Sequence, residues 1–406
     1  MPWKRTGVVE QRCELVKEVR GEKASLAEVC RRLGVSRKTA YKWRLRYEQK
    51  RLKGLEDGSH RPRQVVKTSD HWLQRLRRMR HRRPSWGARK LHYQLAREHG
   101  PQDVPAVATI SRWLKRWGLA KGRRWRKRGP VILRAALRPA RYCNEVWTVD
   151  FKGWYRVGDG SRADPLTVRD LHSRYGLGMV LLRAVSVHTV RREFQKIFRK
   201  YGLPKRIRCD NGSPFGGGGP TGLTRLSAWW VKLGIEVEFL TPGRPCENGA
   251  HEQFHRVYKA EVARQPARTL AEQGRRGQRW LRYYNQQRPH EGLGMRTPAS
   301  AYHRSRRRWS QKIRSWNYSG SWARCWVKGN GEISWRGIRR YVGEAFVGDY
   351  VGLKPESKGV WTVYFGPVVV GELHEKEHGR IRGIKYHRAK KRTPAGPHSG
   401  SLRSPP

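Results

Sequence analysis

The sequence predicts a multidomain protein with an all-α N-terminal part, an α/β middle part and a small all-β C-terminal part. Apolar residues at helical spacing, set between capping residues, run through roughly the first 120 positions. From Cys143 onward, short β-branched segments end on acidic residues, and beyond residue 315 short aromatic segments alternate with Gly and Asn turns. A chain of 406 residues has room for two to four such domains.

The net charge is the strongest compositional signal. The chain has 89 Lys and Arg residues against 32 Asp and Glu, a formal charge of +57, so we expect a polyanionic partner, most simply nucleic acid. Its 37% hydrophobic content and 18 Trp residues exclude a disordered basic protein. The net charge is +29 over 1–142, +8 over 143–265 and +20 over 266–406. The two ends therefore suit a polyanion, and the middle suits chemistry that uses carboxylates.

Several protein classes are excluded by local sequence. Apolar runs are only a handful of residues long, far short of the roughly 20 that cross a bilayer, so we expect no membrane association. The start, Met1 to Arg5, lacks the apolar stretch of a secretory signal, which favours an intracellular location. The cysteines have no paired spacing and are expected to be reduced and free of metal. They are Cys13, Cys30, Cys143, Cys209, Cys246 and Cys325.

A helix-turn-helix DNA-binding domain is predicted over residues 1–56. Ser25 and Ser36 are placed as N-caps, and the predicted helices are Glu10 to Arg20, Leu26 to Leu33 and Arg37 to Gln49. The polar face of the third helix is basic, as in a recognition helix, and its predicted DNA contacts are Arg37, Lys38, Lys42 and Arg44. The alternative is a three-helix bundle with a solvated charged face.

A second helical DNA-binding domain is predicted over residues 66–120. Its helices are expected at Trp72 to Arg80, Ala88 to Arg97 and Val107 to Trp117. A basic linker over 121–142 follows, too charged to pack and suited to following phosphates. Its predicted DNA contacts are Arg123, Arg124, Arg126 and Lys127. The alternative is a merely solvated linker.

The middle domain, 143–303, is predicted to be a mixed five-stranded sheet with helices. Asp150 lies near the end of one strand, Asp210 directly follows another, and Glu252 lies on a helix that Asn248 is expected to cap. The architecture allows the three acids to converge. Such a cluster repels itself and shifts its pKa values, whereas two Mg²⁺ ions would turn it into a clamp for a phosphodiester.

Three basic side chains follow Glu252 on the same predicted helix. His255, Arg256 and Lys259 lie at i+3, i+4 and i+7, so they are expected to share its face and contact a DNA end. A solvated stripe is the alternative.

The C-terminal part is predicted to be a small β-barrel over 315–385, followed by a basic, disordered tail over 386–406.

Four blocks in the middle domain resemble the DDE integrase core of bacterial insertion-sequence transposases and retroviral integrases. They are Trp147 to Asp150, Asp210 to Phe215, Pro245 to Glu252 and Tyr284 to His290. The resemblance implies a ribonuclease-H-like catalytic core in which Asp150, Asp210 and Glu252 hold two Mg²⁺ ions, with Mn²⁺ as a substitute. The rival acids Glu247 and Glu261 do not have the family spacing.

The resemblance also implies an activity. A transposase of this kind binds the terminal inverted repeats of a mobile element, frees a 3′-hydroxyl by hydrolysis and joins it to target DNA. Its partners would be double-stranded element ends and target DNA, and pairing two ends requires a homo-oligomer, at least a dimer. A bacterial, cytoplasmic and nucleoid-associated location is expected. The alternatives are a catalytically inactive repressor derived from a transposase and a ribonuclease-H-like nuclease without strand transfer.

Two features depart from the commonest pattern of this family. The segment between Asp210 and Glu252 contains a glycine-rich insertion, 216–222, which serves either as a spacer or as a loop for target DNA. The zinc-binding module of retroviral integrases is missing, which favours the bacterial branch. Asp170 matches an acid of the family that is expected to be structural.

Overall fold

The structure is a computed structural model, and it describes residues 7–21, 24–58, 69–120, 137, 139–219, 221–241, 245–311, 313 and 315–383. The chain divides into two compact units, Met1–Ser69 and Asp70–Pro406, which are described separately below. The finer domain boundaries remain predictions from the sequence. In the described part of the chain, no helix combines the length and the apolar character needed to cross a membrane.

The first unit is a three-helix bundle with a helix-turn-helix. Its helices are α1 (Val8–Arg20), α2 (Leu26–Arg32) and α3 (Arg37–Lys50). As predicted, Ser25 and Ser36 cap α2 and α3 by accepting the backbone N–H groups of Glu28 and Thr39. Gly34, at φ +63°, makes the turn between them. Val16, Val29 and Trp43 meet in the core, so the basic face of α3 is directed away from it.

The second unit begins with three helices around their own apolar core. These are α4 (Asp70–Arg82), α5 (Ala88–His99) and α6 (Val107–Arg116), and Leu76, Leu91 and Ile110 are completely buried between them. The turn that precedes α5 docks these helices on the next domain. There the Ser85 hydroxyl donates to Glu261, and Arg288 contacts both side chains.

A mixed sheet follows, as the ribonuclease-H-like resemblance implies. Its strands are β1 (Val146–Phe151), β2 (Tyr155–Arg156), β3 (Arg162–Asp170), β4 (Gly176–Leu182), β5 (Arg206–Cys209) and β6 (Glu236–Phe239). β1 pairs antiparallel with β3 and parallel with β5, and β5 pairs parallel with β6. β4 pairs antiparallel with β3 over Asp164–Arg169, and the short β2 pairs with β3 at Arg162 and Ala163. The predicted sheet is confirmed, with β2 as an additional strand.

Helices cover both faces of this sheet. The helices are α7 (Val187–Tyr201), α8 (Arg225–Lys232), α9 (Gly249–Tyr258), α10 (Leu270–Gln286) and α11 (Pro298–Ala301). Phe194 and Trp230, from α7 and α8, pack in one cluster with Trp147 of β1. Phe254 of α9 and Trp280 of α10 form a second cluster with Met179 of β4. A π-helical turn, Lys259–Ala263, continues α9, and neither this turn nor α10 is predicted from the sequence.

The C-terminal part is all-β, as predicted. Its strands are β7 (Ala323–Trp326), β8 (Glu332–Trp335), β9 (Ile338–Tyr341), β10 (Tyr350–Ser357), β11 (Val360–Phe365), β12 (Val368–His374), β13 (Gly379–Arg380) and β14 (Arg382–Gly383). They form a five-stranded antiparallel sheet, β14-β12-β11-β10-β7, and a three-stranded sheet, β13-β9-β8. The strands predicted from the sequence in this part end with Val360 to Phe365, so β12, β13 and β14 are additional.

The core of this β domain extends into the preceding α/β domain. Leu223, Ala228 and Val231 belong to the same apolar cluster as the β-strand residues, and Lys232 forms an ion pair with Asp349. Leu223 also closes the glycine-rich insertion through a bridge to Gly216. The insertion therefore ends beside the junction of the two domains.

Candidate active site

Two of the predicted catalytic acids lie at the ends of neighbouring parallel strands. Asp150 is in β1, and Asp210 directly follows β5. Burial, reinforced by the nearby charges of Asp210 and Glu252, raises the pKa of Asp150 from 3.8 to about 7. Burial also raises the pKa of Asp210, although hydrogen bonding to the Gly212 backbone opposes this shift. Burial therefore disfavours the ionised form of both acids, and the neighbouring carboxylates add to this effect at Asp150.

The turn after Asp210 is tight and depends on glycine. A Cβ atom at Gly212 would lie 3.3 Å from Oδ2 of Asp210, and one at Gly216 would lie 2.5 Å from the carbonyl oxygen of Asn211. The Asn211 side chain donates to the carbonyl of Leu240, the residue that follows β6. The Asp-Asn-Gly block thus fixes the acid at the end of the sheet, between two strands.

Asn248 holds Asp150 instead of capping the helix. The prediction of a side-chain cap is wrong, because the Asn248 side chain makes no capping hydrogen bond to α9. Its Nδ2 instead donates to Oδ2 of Asp150 at 2.9 Å. Asn248 also ends a 3-10 turn, Pro245–Asn248, with φ −103° and ψ 10°, and so lacks the extended backbone typical of a side-chain N-cap.

Glu252 lies on the exposed side of α9, and Arg256 and Lys259 are exposed one and two turns further along. It is close enough to contribute to the pKa of Asp150. Within the described ranges, however, no three His, Cys, Asp or Glu side chains are grouped closely enough to hold a metal ion as they stand. The structure thus brings the three acids to one end of the sheet without arranging them as a finished ligand set.

A buried hydrogen-bond network connects α9 with the strands beneath Asp150. The Thr167 hydroxyl donates to the backbone carbonyl of Asp150 at 3.0 Å. Since a hydroxyl has one proton, its oxygen then accepts from Nε2 of His251 at 2.6 Å and from Nε2 of His255 at 2.7 Å. Nδ1 of His251 in turn accepts from the Thr148 hydroxyl at 2.8 Å. Both imidazoles are therefore neutral Nε2–H tautomers.

The protonation of these histidines follows from their burial. Burial lowers the pKa of His251 well below its ordinary value and that of His255 to about 3. Nδ1 of His255 lies 3.9 Å from Oδ2 of Asp150. Because the imidazole is neutral at physiological pH, this contact is not an ion pair.

The prediction that His255 contacts DNA is wrong. The side chain is directed into the network below the site and is only 7% exposed. The positions on the helical wheel explain the error. At 100° per residue, His255 lies about 60° around the helix from Glu252, whereas Arg256 and Lys259 lie within about 40° of it. Arg256 and Lys259 are exposed, so their predicted DNA contact remains open.

The rival acids Glu247 and Glu261 and the structural acid Asp170 make other contacts. Oε2 of Glu261 accepts from the Trp280 indole at 2.8 Å, and its other oxygen faces Ser85 and Arg288. Glu247 accepts the backbone N–H of Thr241. The fully buried Asp170 accepts the backbone N–H groups of two residues, Asn144 and Ser173, as expected of a structural acid.

The predicted DNA contacts on α3 are all exposed, but they differ in their own contacts. Arg44 is paired with Glu48 at 2.9 Å, and the Lys42 ammonium lies 4.9 Å from the ring centre of Trp43. No ion pair is found for Arg37 or Lys38 among the described residues. The predicted linker contacts Arg123, Arg124, Arg126 and Lys127 lie outside the described residues.

Family models match the chain along most of its length. Residues 141–245 and 233–298 match two integrase core domain models. Residues 11–63 match a helix-turn-helix domain, and residues 39–114 match a homeodomain-like domain. Residues 323–380 match the C-terminal domain of IS481 family transposases. These matches confirm the domain content implied by the resemblance to insertion-sequence transposases.

Two curated relatives come from bacterial insertion elements. The chain is 29% identical over 234 residues to the uncharacterized 31.7 kDa protein of insertion element IS407 from Burkholderia multivorans, a match that covers 57% of this chain and 81% of the relative. It is also 29% identical over 222 residues to the uncharacterized 39.2 kDa protein of IS476 from Xanthomonas euvesicatoria. That match covers 54% of this chain and 60% of the relative.

Solved integrase structures are also similar to parts of the chain. The HTLV-2 integrase catalytic core domain in complex with magnesium aligns at 15% identity and a TM-score of 0.31, over 41% of this chain and all of that one. An intasome of simian T-cell lymphotropic virus with PP2A regulatory subunit B56 gamma aligns at 13% identity and a TM-score of 0.34. It covers 76% of this chain and 98% of that one.

Proposed function

We propose that this chain, which carries an integrase core between helix-turn-helix domains and a transposase C-terminal domain, is a DDE-type DNA transposase. It would cleave the 3′ ends of its mobile element and join them to target DNA. The observation that carries the proposal is the meeting of Asp150 and Asp210 at the ends of two adjacent parallel strands, with Glu252 within electrostatic range.

The donor chemistry fits Mg²⁺. Carboxylate oxygens are the ligands that Mg²⁺ prefers, and the raised pKa of Asp150 indicates negative charge that a divalent cation would offset. Asp150, Asp210 and Glu252 would hold the metal, two ions in all, with Mn²⁺ as a substitute. Bound there, the ions would activate the attacking oxygen and stabilise the leaving oxygen of a phosphodiester.

The remaining residues of the site would position Asp150 and the DNA. Asn248 holds Oδ2 of Asp150, and Thr167 holds its backbone carbonyl. The network below therefore limits the motion of the acid against α9. Arg256 and Lys259 extend the exposed face of Glu252 and would bind phosphates beside the scissile bond.

The helical domains would select the DNA. Arg37, Lys38, Lys42 and Arg44 on α3 would contact the terminal repeat, and the homeodomain-like region would lengthen the recognised site. Since two element ends must be joined together, the active form would be a homo-oligomer of at least two chains on DNA.

The test is a nicking and strand-transfer assay with purified full-length chain, DNA from the element's own ends, and Mg²⁺. Specific 3′ nicking and joining to a plasmid target are expected, and both should be lost in Asp210→Asn. Nicking that survives this substitution would contradict the proposal. Binding without nicking would indicate an inactive repressor, and nicking without joining would indicate a nuclease.

A further inference from the structure

A strongly basic cleft lies at the end of the sheet opposite the carboxylates. It has a volume of about 620 Å³ and is lined by the C-terminal end of α7 and by the segment after α11. We define the basic cleft by six of its lining residues, which are Arg199, Lys200, Arg304, Arg306, Arg308 and Trp309. Among the described residues, those that line it include no acid.

The segment on one side of the cleft is fixed to the core by alternate residues. The backbone N–H of Ser305 donates to the carbonyl of Tyr201 at 2.9 Å, and its hydroxyl donates to the carbonyl of Leu203 at 2.6 Å. The Arg307 guanidinium donates to the carbonyls of Leu233 and Gly234. Because Ser305 and Arg307 are held by the core, Arg304, Arg306 and Arg308 remain free to line the cleft.

The close approach of this segment requires glycine on the opposite side. Gly202 has φ +81°, and a Cβ atom there would lie 2.7 Å from the carbonyl oxygen of Arg307. The guanidinium of Arg199 lies 4.8 Å from the ring centre of Trp309, which links α7 to the segment. The cleft is therefore built by specific contacts between its two walls.

The charge of the cleft has no local compensation. Arg199, Lys200, Arg304, Arg306 and Arg308 are all exposed, and none of them is within 4.0 Å of a carboxylate among the described residues. Five cations around one cleft repel one another, so an anion with repeated charges would be favoured there. DNA supplies one phosphate per roughly 3.4 Å along each strand.

The cleft is separate from the carboxylate site. β5 leads from the cleft side, just after Tyr201 and Gly202, to Asp210 at its other end. Four strand residues span roughly 13 Å, or about four base pairs of a duplex. DNA in the cleft would thus lie beyond the base pairs that meet the acids.

We propose that the basic cleft binds the sugar–phosphate backbone of a DNA segment that the carboxylates do not contact, without reading its bases. This inference rests on the proposed function in taking DNA as the polyanion. Guanidinium and ammonium groups binding phosphates give affinity and register but no sequence preference. The cleft would therefore hold flanking or target DNA of any sequence.

The first experiment measures binding of a 40-base-pair duplex of unrelated sequence to the full chain, without divalent metal, over a range of salt concentrations. The variant R304Q/R306Q/R308Q keeps Ser305 and Arg307, which fix the segment. We expect about tenfold weaker binding at moderate salt. The slope of log K against log salt concentration should become less steep by about 2 to 3, as for two to three lost phosphate contacts.

The matched control is R275Q/R279Q/R282Q, which removes the same charge from exposed positions on α10 that do not line the cleft. Its binding should change less than that of the cleft variant. Equal losses in the two variants would mean that only total charge matters, and this result would overturn the proposal.

The second experiment locates the DNA directly. Acetylation of Lys200 in the unaltered protein is followed by mass spectrometry with and without the duplex, with exposed Lys358 as the reference. Bound DNA should slow acetylation of Lys200 selectively. Unchanged reactivity at saturating DNA would overturn the proposal, as would protection by polyglutamate but not by DNA, which would indicate an acidic protein partner.

Failure of the cleft and failure of the proposed chemistry are distinguishable. The cleft variant should still nick a short element-end duplex that does not extend beyond the acids. Protection of Lys200 in a protein that never nicks DNA would support the cleft and contradict the transposase activity. Loss of nicking on the short duplex in a folded cleft variant would contradict the separation of the two sites.

Discussion

The side-chain amide of Asn248 donates to Oδ2 of Asp150 at 2.9 Å and so connects the residue before α9 with β1. This contact joins the third block of the integrase core to the first. It explains how the start of α9, and with it Glu252 one turn further on, is held near the acid at the end of β1. The asparagine is thus a positioning residue for the proposed metal site.

We expect Asn248→Ala to slow DNA nicking by roughly tenfold or more. A hydrogen bond to a charged group contributes about 1.5–3 kcal/mol, and its loss frees Oδ2 of Asp150 to leave its position. Single-turnover nicking over a range of Mg²⁺ concentrations measures both the rate and the metal requirement. Asn330→Ala is a control, because the exposed Asn330 donates to Glu332 in the β domain and not to any of the three acids. A rate and a metal requirement both equal to the unaltered protein would contradict the role of Asn248.

Asp150→Asn should stabilise the protein when metal is absent. The pKa of Asp150 is raised from 3.8 to about 7, so the ionised carboxylate costs stability at all pH values above about 7. We expect a gain of about 1–3 kcal/mol in the free energy of unfolding at pH 8 for the amide. The gain should shrink as the pH falls from about 7 toward 4, where the folded acid is already neutral. Thermal unfolding in EDTA at several pH values measures it, and a less stable variant at pH 8 would contradict the prediction.

Thr167→Val should destabilise the second unit by about 2–4 kcal/mol. The valine has the shape of threonine but leaves the Nε2–H groups of His251 and His255 buried without an acceptor. Thr167→Ser keeps the hydroxyl and should cost about 1 kcal/mol or less. Chemical denaturation of the three proteins measures the difference. Equal stabilities of the valine and serine variants would mean that the network contributes nothing.

Lys259→Glu should weaken binding to element-end DNA without changing the melting temperature. Lys259 is exposed on the same face as Glu252, so its reversal removes one phosphate contact and adds repulsion. We expect the slope of log K against log salt concentration to become less steep by about 1. Lys328→Glu is the matched control, since it makes the same change at an exposed turn of the β domain. Identical binding curves for the two variants would exclude a contact at Lys259.

The positions of Asp150 and Asp210 could be predicted because strand ends are marked by local sequence. Asp150 lies near the end of the strand pattern Val146 to Phe151, Asp210 follows the short strand pattern Ile207 to Cys209, and parallel strands bring such ends together. The burial of the His255 side chain could not be predicted, since on a helical wheel it lies at the border between the buried and exposed sides of α9. Only the tertiary partner, Thr167, decides that it is buried.

Other features depended on contacts that are distant in sequence. The pattern around Asn248 fits a helix cap, but its amide donates to the carboxylate of Asp150, which lies 98 positions away in sequence. Likewise, Glu261 is distinguished from Glu252 by its contacts with Ser85 and Arg288. Nothing in the local sequence around Glu261 indicates these two partners. Local patterns therefore predicted where most elements lie, α10 and β12 excepted, and tertiary contacts determined which polar side chains remain available for chemistry.

The shared apolar cluster of α8 and the β domain also limits how such proteins can exchange domains by recombination. Ala228 and Val231 lie in sequence between Asp210 and Glu252, yet they help to form the core of the domain that begins near residue 323. A fragment that ends before β7 would expose this apolar surface to water and would tend to aggregate. A chimaera that takes its last domain from a relative would need the matching α8 as well, so recombination at a single crossover between these domains is disfavoured.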